Sequence, residues 1–433
     1  MKTKLFALLL ILPMMTFCTP DPIDPGQEGP EQPADTTQQQ PADTTQQGTP
    51  EPLPPSDNVI TPEEDLTDVA PEVKDGDLVL ASNPNVEKFI TEVQYPDHDY
   101  SYTKILDYYG GYNGNLNGET VKSDKPSAYS IRWTADAAAG ALKLELSDST
   151  WSMTQDIDAG KSYVEITNLV PDSHYSYKVT AANGTVMTEG EFDTYGSIHQ
   201  VYFKHSVRNA RDLGGWLTYD GKMVKYRKIY RGGRLQSSTI NKSGRNAIVA
   251  EGIKAQLDIR SNSDWNTSPT LPEFEFCAPD IATGGDSMLK QNKGDKTRQC
   301  MQFIIDCLKE DKPVYFHCSL GRDRTGTLAL VILGVLDVIE GDISKEYEVS
   351  YFSPRGWSIA TSETYTIFQN YRTKWAYQPA AEYLWKYVQE GERFSKGVER
   401  YLLEIGISQA DIDTFRELML TEPYPEKTPV AAE

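Results

Sequence analysis

Residues 314–338 read VYFHCSLGRDRTGTLALVILGVLDV. A short apolar run, Val314-Tyr315-Phe316, leads into ten residues of mixed polarity, and a second apolar run, 328–338, closes the stretch. This is the order of a buried strand, a tight loop and a core helix. The second run contains Gly334 and falls short of the ~20 apolar residues that a bilayer-spanning helix needs, so it reads as core.

The loop between the two runs has the parts that hold an anion. Backbone N–H groups at a helix start lack intrahelical acceptors, and the helix dipole is positive there. Gly321 and Gly326 permit backbone angles and a close approach that a β-carbon hinders. Arg324 offers a planar fork to two phosphate oxygens at once. The same positive surroundings favour Cys318 as thiolate, the nucleophilic form. A thiolate set against a bound phosphorus gives a cysteinyl-phosphate and then hydrolysis, a scheme with no metal and no cofactor. The bland rival is a buried structural cysteine ahead of a core helix.

His317-Cys318 through Arg324-Thr325-Gly326 resembles the phosphate-binding loop of cysteine-dependent tyrosine phosphatases. The resemblance implies substrate phosphate contacts at Ser319, Leu320, Gly321, Arg322, Asp323 and Arg324. It implies that His317 holds the loop and tunes the thiolate, and that Thr325 hydrogen-bonds the Cys318 sulfur or helps its departure. Asp323 is expected to orient Arg324 or a water, or to share acid duty. Arg322 stands where related proteins often carry a lysine associated with phosphoinositide or broad specificity.

A second motif opens the same half of the chain. Residues 209–215, NARDLGG, taken alone are a polar turn whose glycine pair suits a tight reversal between strands. Beside the Cys318 loop they resemble the entry motif of the bacterial tyrosine/serine phosphatase family, which makes Asn209, Arg211 and Asp212 supporting residues. That resemblance covers about residues 200–420. Residues 229–235 fit the family's next element.

Residues 257–261 read LDIRS, the end of a buried strand. In open α/β sheets, ligands sit beyond the carboxyl ends of the strands. If this strand runs parallel to the one ending at Phe316, Asp258 and Cys318 emerge at one edge. A phosphate monoester's leaving oxygen needs a proton from a carboxylic acid. The resemblance points to Asp258 for that role, with Asp280 and Asp286 in reserve; the structural alternative is an Asp258–Arg260 bridge.

The 433 residues suffice for two domains with extensions. With 63 acidic against 42 basic residues the net charge is −21, which argues against nucleic acid or an anionic membrane surface as general partners. Five cysteines, at 18, 277, 300, 307 and 318, form no disulfide or zinc pattern. Cys300 and Cys307 read as core positions of a helix at 296–308.

At the amino terminus, Lys2 and Lys4 precede an apolar run over 5–12, the start of a secretory signal too short to span a bilayer when mature. Cys18 stands where bacterial lipoproteins place the lipid-modified cysteine, although Phe17 replaces the usual small residue. The chain is therefore expected to cross the inner membrane of a bacterium and stay lipid-anchored in the envelope. Residues 19–75, rich in Pro, Thr and Gln with a repeated PADTTQQ, cannot offset the entropy of ordering and read as a disordered tether.

Residues 129–133, 141–146 and 163–166 alternate apolar and polar in the manner of strands. Trp133 and the corner at 169–175 resemble those of fibronectin type III domains. The expected organisation is therefore a signal (1–18), a tether (19–75), an all-β sandwich of fibronectin or immunoglobulin type (76–197), an α/β domain of the cysteine-phosphatase type with a mostly parallel sheet flanked by helices (198–420), and a disordered tail (421–433). The expected activity is protein tyrosine phosphatase, with dual specificity open and a phosphorylated protein or peptide as partner. The alternatives are a phosphoinositide or inositol-phosphate phosphatase using the same loop, and a surface binding or adhesion protein.

Overall fold

The computed structural model describes residues 59–60, 76, 78–80, 84–98, 121–122, 126–197, 200–204, 206–236, 240–261, 268–352, 364–365 and 376–423. Cys18 and its leader, the PADTTQQ repeats, the segment 100–109 and the tail from 424 lie outside them.

Strands β1 (Val59–Ile60) and β2 (Leu78–Leu80) precede helix α1 (Pro84–Glu92) and strand β3 (Val121–Lys122). The all-β domain follows as β4 (Tyr129–Arg132), β5 (Leu142–Ser147), β6 (Ser152–Ile157), β7 (Tyr163–Ile166), β8 (His174–Ala181) and β9 (Val186–Gly196). One sheet runs β1-β6-β5-β8-β9-β2 and a second pairs β4 with β7. Alternation along β5 sends Leu142, Leu144 and Leu146 inward and Lys143 and Glu145 outward. The inward residues meet Ile131, Trp133, Val164, Tyr175 and Phe192 in one apolar core. Trp133 satisfies its indole by donating to the Lys161 carbonyl at 2.8 Å.

Two parts of the expected boundaries change. Val59–Ile60, inside the segment read as a tether, adds in parallel to the edge of β6. Helix α1, placed by sequence with the sandwich, instead contributes Val86 and Phe89 to the core of the second domain. An amphipathic nine-residue helix is marginal alone and goes where its apolar face is covered.

The second domain is α/β. In chain order it contains β10 (Arg211–Asp212), β11 (Ile229–Gly232), α2 (Lys242–Ala250), β12 (Ala255–Asp258), β13 (Glu275–Cys277), α3 (Asp286–Lys290), α4 (Asp295–Lys309), β14 (Val314–His317) and α5 (Asp323–Val335). After these come α6 (Glu340–Glu348), β15 (Thr364–Tyr365), α7 (Gln378–Trp385), α8 (Phe394–Glu404) and α9 (Gln409–Met419). The sheet order is β10-β11-β14-β12-β13, parallel throughout except for β10 at one edge. The strand of the opening stretch is thus central.

Val314 and Phe316 join the core with α4 and α5, whereas Tyr315 points to the other face, against Phe203, Ile248 and Phe274. Every residue of α5 is buried. Each fully buried Leu, Ile or Val there is worth about 1.5–3 kcal/mol, which fixes the helix whose first turn borders the loop. Among the described residues no helix is long and apolar enough to cross a membrane.

Candidate active site

The loop of interest runs from Cys318 to Arg322, between the end of β14 and the start of α5. Three consecutive carbonyls of this loop are held by the surrounding protein. Ser319 O accepts the Arg234 N–H at 3.1 Å. Leu320 O and Gly321 O accept Asn209 Nδ2 at 3.2 and 2.8 Å. Gly321 O also accepts Arg231 Nη2 at 2.5 Å. In a trans peptide the next N–H points opposite to the carbonyl, so these contacts aim the N–H groups of residues 320–322 to the loop's inner side. Gly321 sits at φ +71, and a β-carbon there would fall 2.2 Å from the Gly232 carbonyl carbon. The loop is therefore packed directly on the end of β11, and glycine is required.

Cys318 is fully buried, and its N–H donates to Thr325 Oγ1 at 2.8 Å. That bond ties the cysteine to the first turn of α5. Arg324, in the same turn, donates from Nη1 to the Ile281 carbonyl at 3.0 Å. The segment carrying Ile281 is pressed against the helix start: a β-carbon on Gly284 would meet the Asp323 carbonyl carbon at 2.8 Å, and the Gly285 N–H donates to Thr327 Oγ1 at 2.8 Å. Arg322 turns its guanidinium onto Asp323, with Nε and Nη2 each 3.3 Å from a carboxylate oxygen. Asp323 also accepts the Tyr347 hydroxyl at 3.2 Å.

The carboxylates differ in surroundings. Asp258 lies beside His317 in the parallel register of β12 and β14, so the same-edge expectation holds geometrically. Its carboxylate accepts from the N–H, Nε and Nη2 of Arg260 at 2.6–3.1 Å and is 1% exposed. Burial opposes the charged form, yet the charge interaction with His317 and the hydrogen bonds and charge of Arg260 outweigh it and hold the carboxyl below the usual range. The bridge to Arg260 is thus the arrangement present. Asp280 sits in the left-handed region at φ 60, immediately before Ile281, and its carbonyl accepts Gln291 Nε2. Asp286 pairs with Lys290 one turn along α3.

Asn209 and Arg211 approach the loop from β10 and its lead-in, whereas the carboxylate of Asp212 is turned to Gly214 and Arg227. Arg211 donates to Asn209 Oδ1, to Glu346 Oε1 at 3.0 Å and to Ser350 Oγ at 3.2 Å. Arg231, directly opposite Arg211 in the ladder, donates to Glu346 Oε2 at 2.6 Å. Burial and the neighbouring Arg231 pull Arg211 down to about 10, against Glu346, so it stays cationic at neutral pH. Breaking a buried pair of this kind leaves an uncompensated charge at a cost of about 3–5 kcal/mol. Asp212 accepts the N–H groups of Gly214 (2.8 Å) and Arg227 (2.6 Å); burial pushes its carboxyl up to about 7 against those bonds.

Arg231 and Glu346 had no role assigned from sequence. Arg231 falls within the 229–235 element that resembles the family's, and Glu346 carries no sequence reading of its own. Their signal is three-dimensional: a fully buried arginine and a 3%-exposed carboxylate on α6 meeting under the loop. Cys300 and Cys307 are core positions, as expected, and burial pushes the Cys307 thiol up to about 12.

Fold and site together define an α/β protein with a tightly held loop between a central parallel strand and a buried helix. Comparison of sequences makes this more specific. The profile described as the tyrosine phosphatase family matches residues 204–421, half of the chain, and the chain belongs to that family. It is 25% identical over 172 residues to a Cupriavidus necator protein provisionally named a tyrosine-protein phosphatase, covering 34% of this chain and 62% of that one. It is 27% identical over 126 residues to a tyrosine-protein phosphatase of Nostoc commune, covering 24% of this chain and 43% of the relative. The chain thus spans less than two thirds of the length of either relative.

Proposed function

We propose that this chain is a cysteine-dependent, metal-independent protein tyrosine phosphatase that takes phosphoserine and phosphothreonine as secondary substrates. The observation that carries the reading is the fixing of the Ser319, Leu320 and Gly321 carbonyls, which leaves the following N–H groups for a phosphate dianion in front of Cys318. In this scheme Cys318 Sγ attacks phosphorus while the bond to the tyrosyl oxygen breaks, and Arg324 pairs the equatorial oxygens. The departing oxygen takes a proton from an acid. Water then attacks the cysteinyl-phosphate, releasing inorganic phosphate and the thiolate.

Asp258 is the acid in this proposal, supported by its place beside His317 at the sheet edge. Its pairing with Arg260 weighs against it, and Asp280, next to the carbonyl that holds Arg324, is the substitute. Asp258→Asn is expected to slow release from alkyl phosphates about 10²-fold or more, and far less from an activated aryl phosphate. Steady-state rates on a leaving-group series check this; equal losses across the series transfer the role to Asp280.

Arg322 is the residue on which a phosphoinositide reading rests. Its buried guanidinium against Asp323 favours the phosphotyrosine reading instead. Release from a phosphotyrosyl peptide and from a phosphoinositide, measured side by side, tests the preference.

The all-β domain is proposed as fibronectin type III-like. The Val170 N–H donates to the Tyr175 hydroxyl at 3.0 Å, the corner expected before a late strand of such sandwiches. The chain is proposed to reside in a bacterial cell envelope, anchored through Cys18 and spaced from the membrane by the Pro/Thr/Gln-rich segment.

A further inference from the structure

We infer that the β-sandwich is a working part of the phosphate loop, joined to it through Arg227 as a positioning residue; the activity arm of its test rests on the phosphatase reading above. Arg227 belongs to the α/β domain, where its Nε lies 3.9 Å from Glu251 Oε2, but it turns both Nη groups to the sandwich. Nη1 donates to Asp148 Oδ2 at 2.6 Å and Nη2 to the Tyr175 hydroxyl at 3.2 Å. The guanidinium lies 3.9 Å from the centre of the Trp151 ring. Trp151 in turn donates to the Ala250 carbonyl at the end of α2, and Asn168 exchanges two hydrogen bonds with the Tyr202 backbone.

The backbone of Arg227 is in the left-handed region, at φ 59. A residue with a β-carbon is strained there, and such strain persists where the surroundings over-determine the position. Glycine would adopt this turn without strain, but it would bring no side chain to Asp148, Tyr175 and Trp151.

From Arg227 the contacts run without a gap to the loop. Its N–H donates to Asp212 Oδ2, and Asp212 Oδ1 takes the Gly214 N–H, which clamps β10. Next to Asp212 on β10, Arg211 grips Asn209 and Glu346. Asn209 and Arg231 then hold the Leu320 and Gly321 carbonyls. The sandwich thereby fixes the direction of the N–H groups that receive phosphate.

The decisive variant is Arg227→Gly in the full chain, which keeps the backbone N–H, relieves the strain and removes the side-chain contacts with Asp148, Tyr175 and Trp151. Hydrogen exchange followed by mass spectrometry should accelerate about fivefold in peptides covering 209–214 and 318–324, the scale of one lost hydrogen bond. In turnover of p-nitrophenyl phosphate, KM and the inhibition constant for inorganic phosphate should rise together by a similar factor, with kcat less affected. Arg227→Lys, which retains the charge opposite Asp148, should recover part of both changes. Trp151→Ala, altered on the sandwich alone, should move the loop peptides in the same direction. Unchanged exchange at 318–324 in Arg227→Gly overturns the inference, as does a fall in kcat with KM and phosphate inhibition unmoved. The exchange arm decides the inference even if the wild-type chain releases no phosphate, an outcome that would instead remove the phosphatase reading.

Discussion

His317 carries its proton on Nδ1, and its neighbours fix that choice. Gln256 Oε1 accepts the Thr270 N–H, so the Gln256 amide nitrogen must be the group facing Leu235 O and His317 Nε2. Nε2 is therefore an acceptor, and Nδ1–H points to the Cys318 carbonyl at 3.2 Å. Burial pulls this imidazole down to about 4, with Asp258 pushing back, so it is neutral at neutral pH and suits a holding role. An exposed imidazole titrates near ~6.5, so between about 6.5 and 4 the unfolded chain binds a proton that the folded chain refuses. The stability His317 confers is whole above that window and is lost as pH falls through it. The urea-unfolding advantage of wild type over His317→Gln should shrink by on the order of 2 kcal/mol between about pH 7 and about pH 4.5. Asp212, raised by burial, contributes with the opposite sign but is present in both chains and cancels. A flat or growing difference would contradict the buried neutral state. At this scale sequence identifies residues with a chemical signature, such as Cys318, Arg324 and the Asn209–Arg211 pair. Arg227, Arg231 and Glu346 escape it, because charge on a turn, strand or helix carries no mark of burial.

The strand–loop–helix unit depends on a glycine whose environment can be separated from its dihedral angle. Gly321 at φ +71 and Gly221 at φ +74 share the same positive φ. A β-carbon at Gly321 would strike the backbone of Gly232 and Gly233, whereas at Gly221 it would meet nothing within 4 Å. Gly321→Ala should therefore cost about 1–3 kcal/mol more than Gly221→Ala in chemical denaturation, the overpacking penalty added to a common strain. Equal costs would mean that the loop does not press on β11. Elements with clean alternation or a helical apolar face were legible: β5, β7 and α4 fall where the sequence put them. The start of α5 was not, since Arg324 and Thr325 are polar yet buried, and hydrophobic pattern placed the helix five residues later. Strand β6, SMTQDI, has only two buried side chains and no strong alternation to announce it. Helix α3 ends at a kink where Asn292 and Lys293 take positive φ ahead of Gly294, a break that begins two residues before the glycine that marks it.

The whole molecule is less divisible than its sequence suggests. Helix α1 lies ahead of the sandwich in the chain but packs Phe89 against Phe352. Lys345 on α6 donates to the Ile90 carbonyl, closing that contact across 255 positions. No local pattern can announce a partner that distant. The seam at Arg227, Asp148 and Trp151 was not readable, because nothing local to any of the three residues names a partner in the other domain. The most direct measurement of the central claim is phosphate release from a phosphotyrosyl peptide by the chain from residue 19, wild type against Cys318→Ser, with chelator present. The account predicts steady release by the wild type and its abolition in the variant, with phosphate binding retained. Release that survives Cys318→Ser, or that the chelator stops in the wild type, would contradict it.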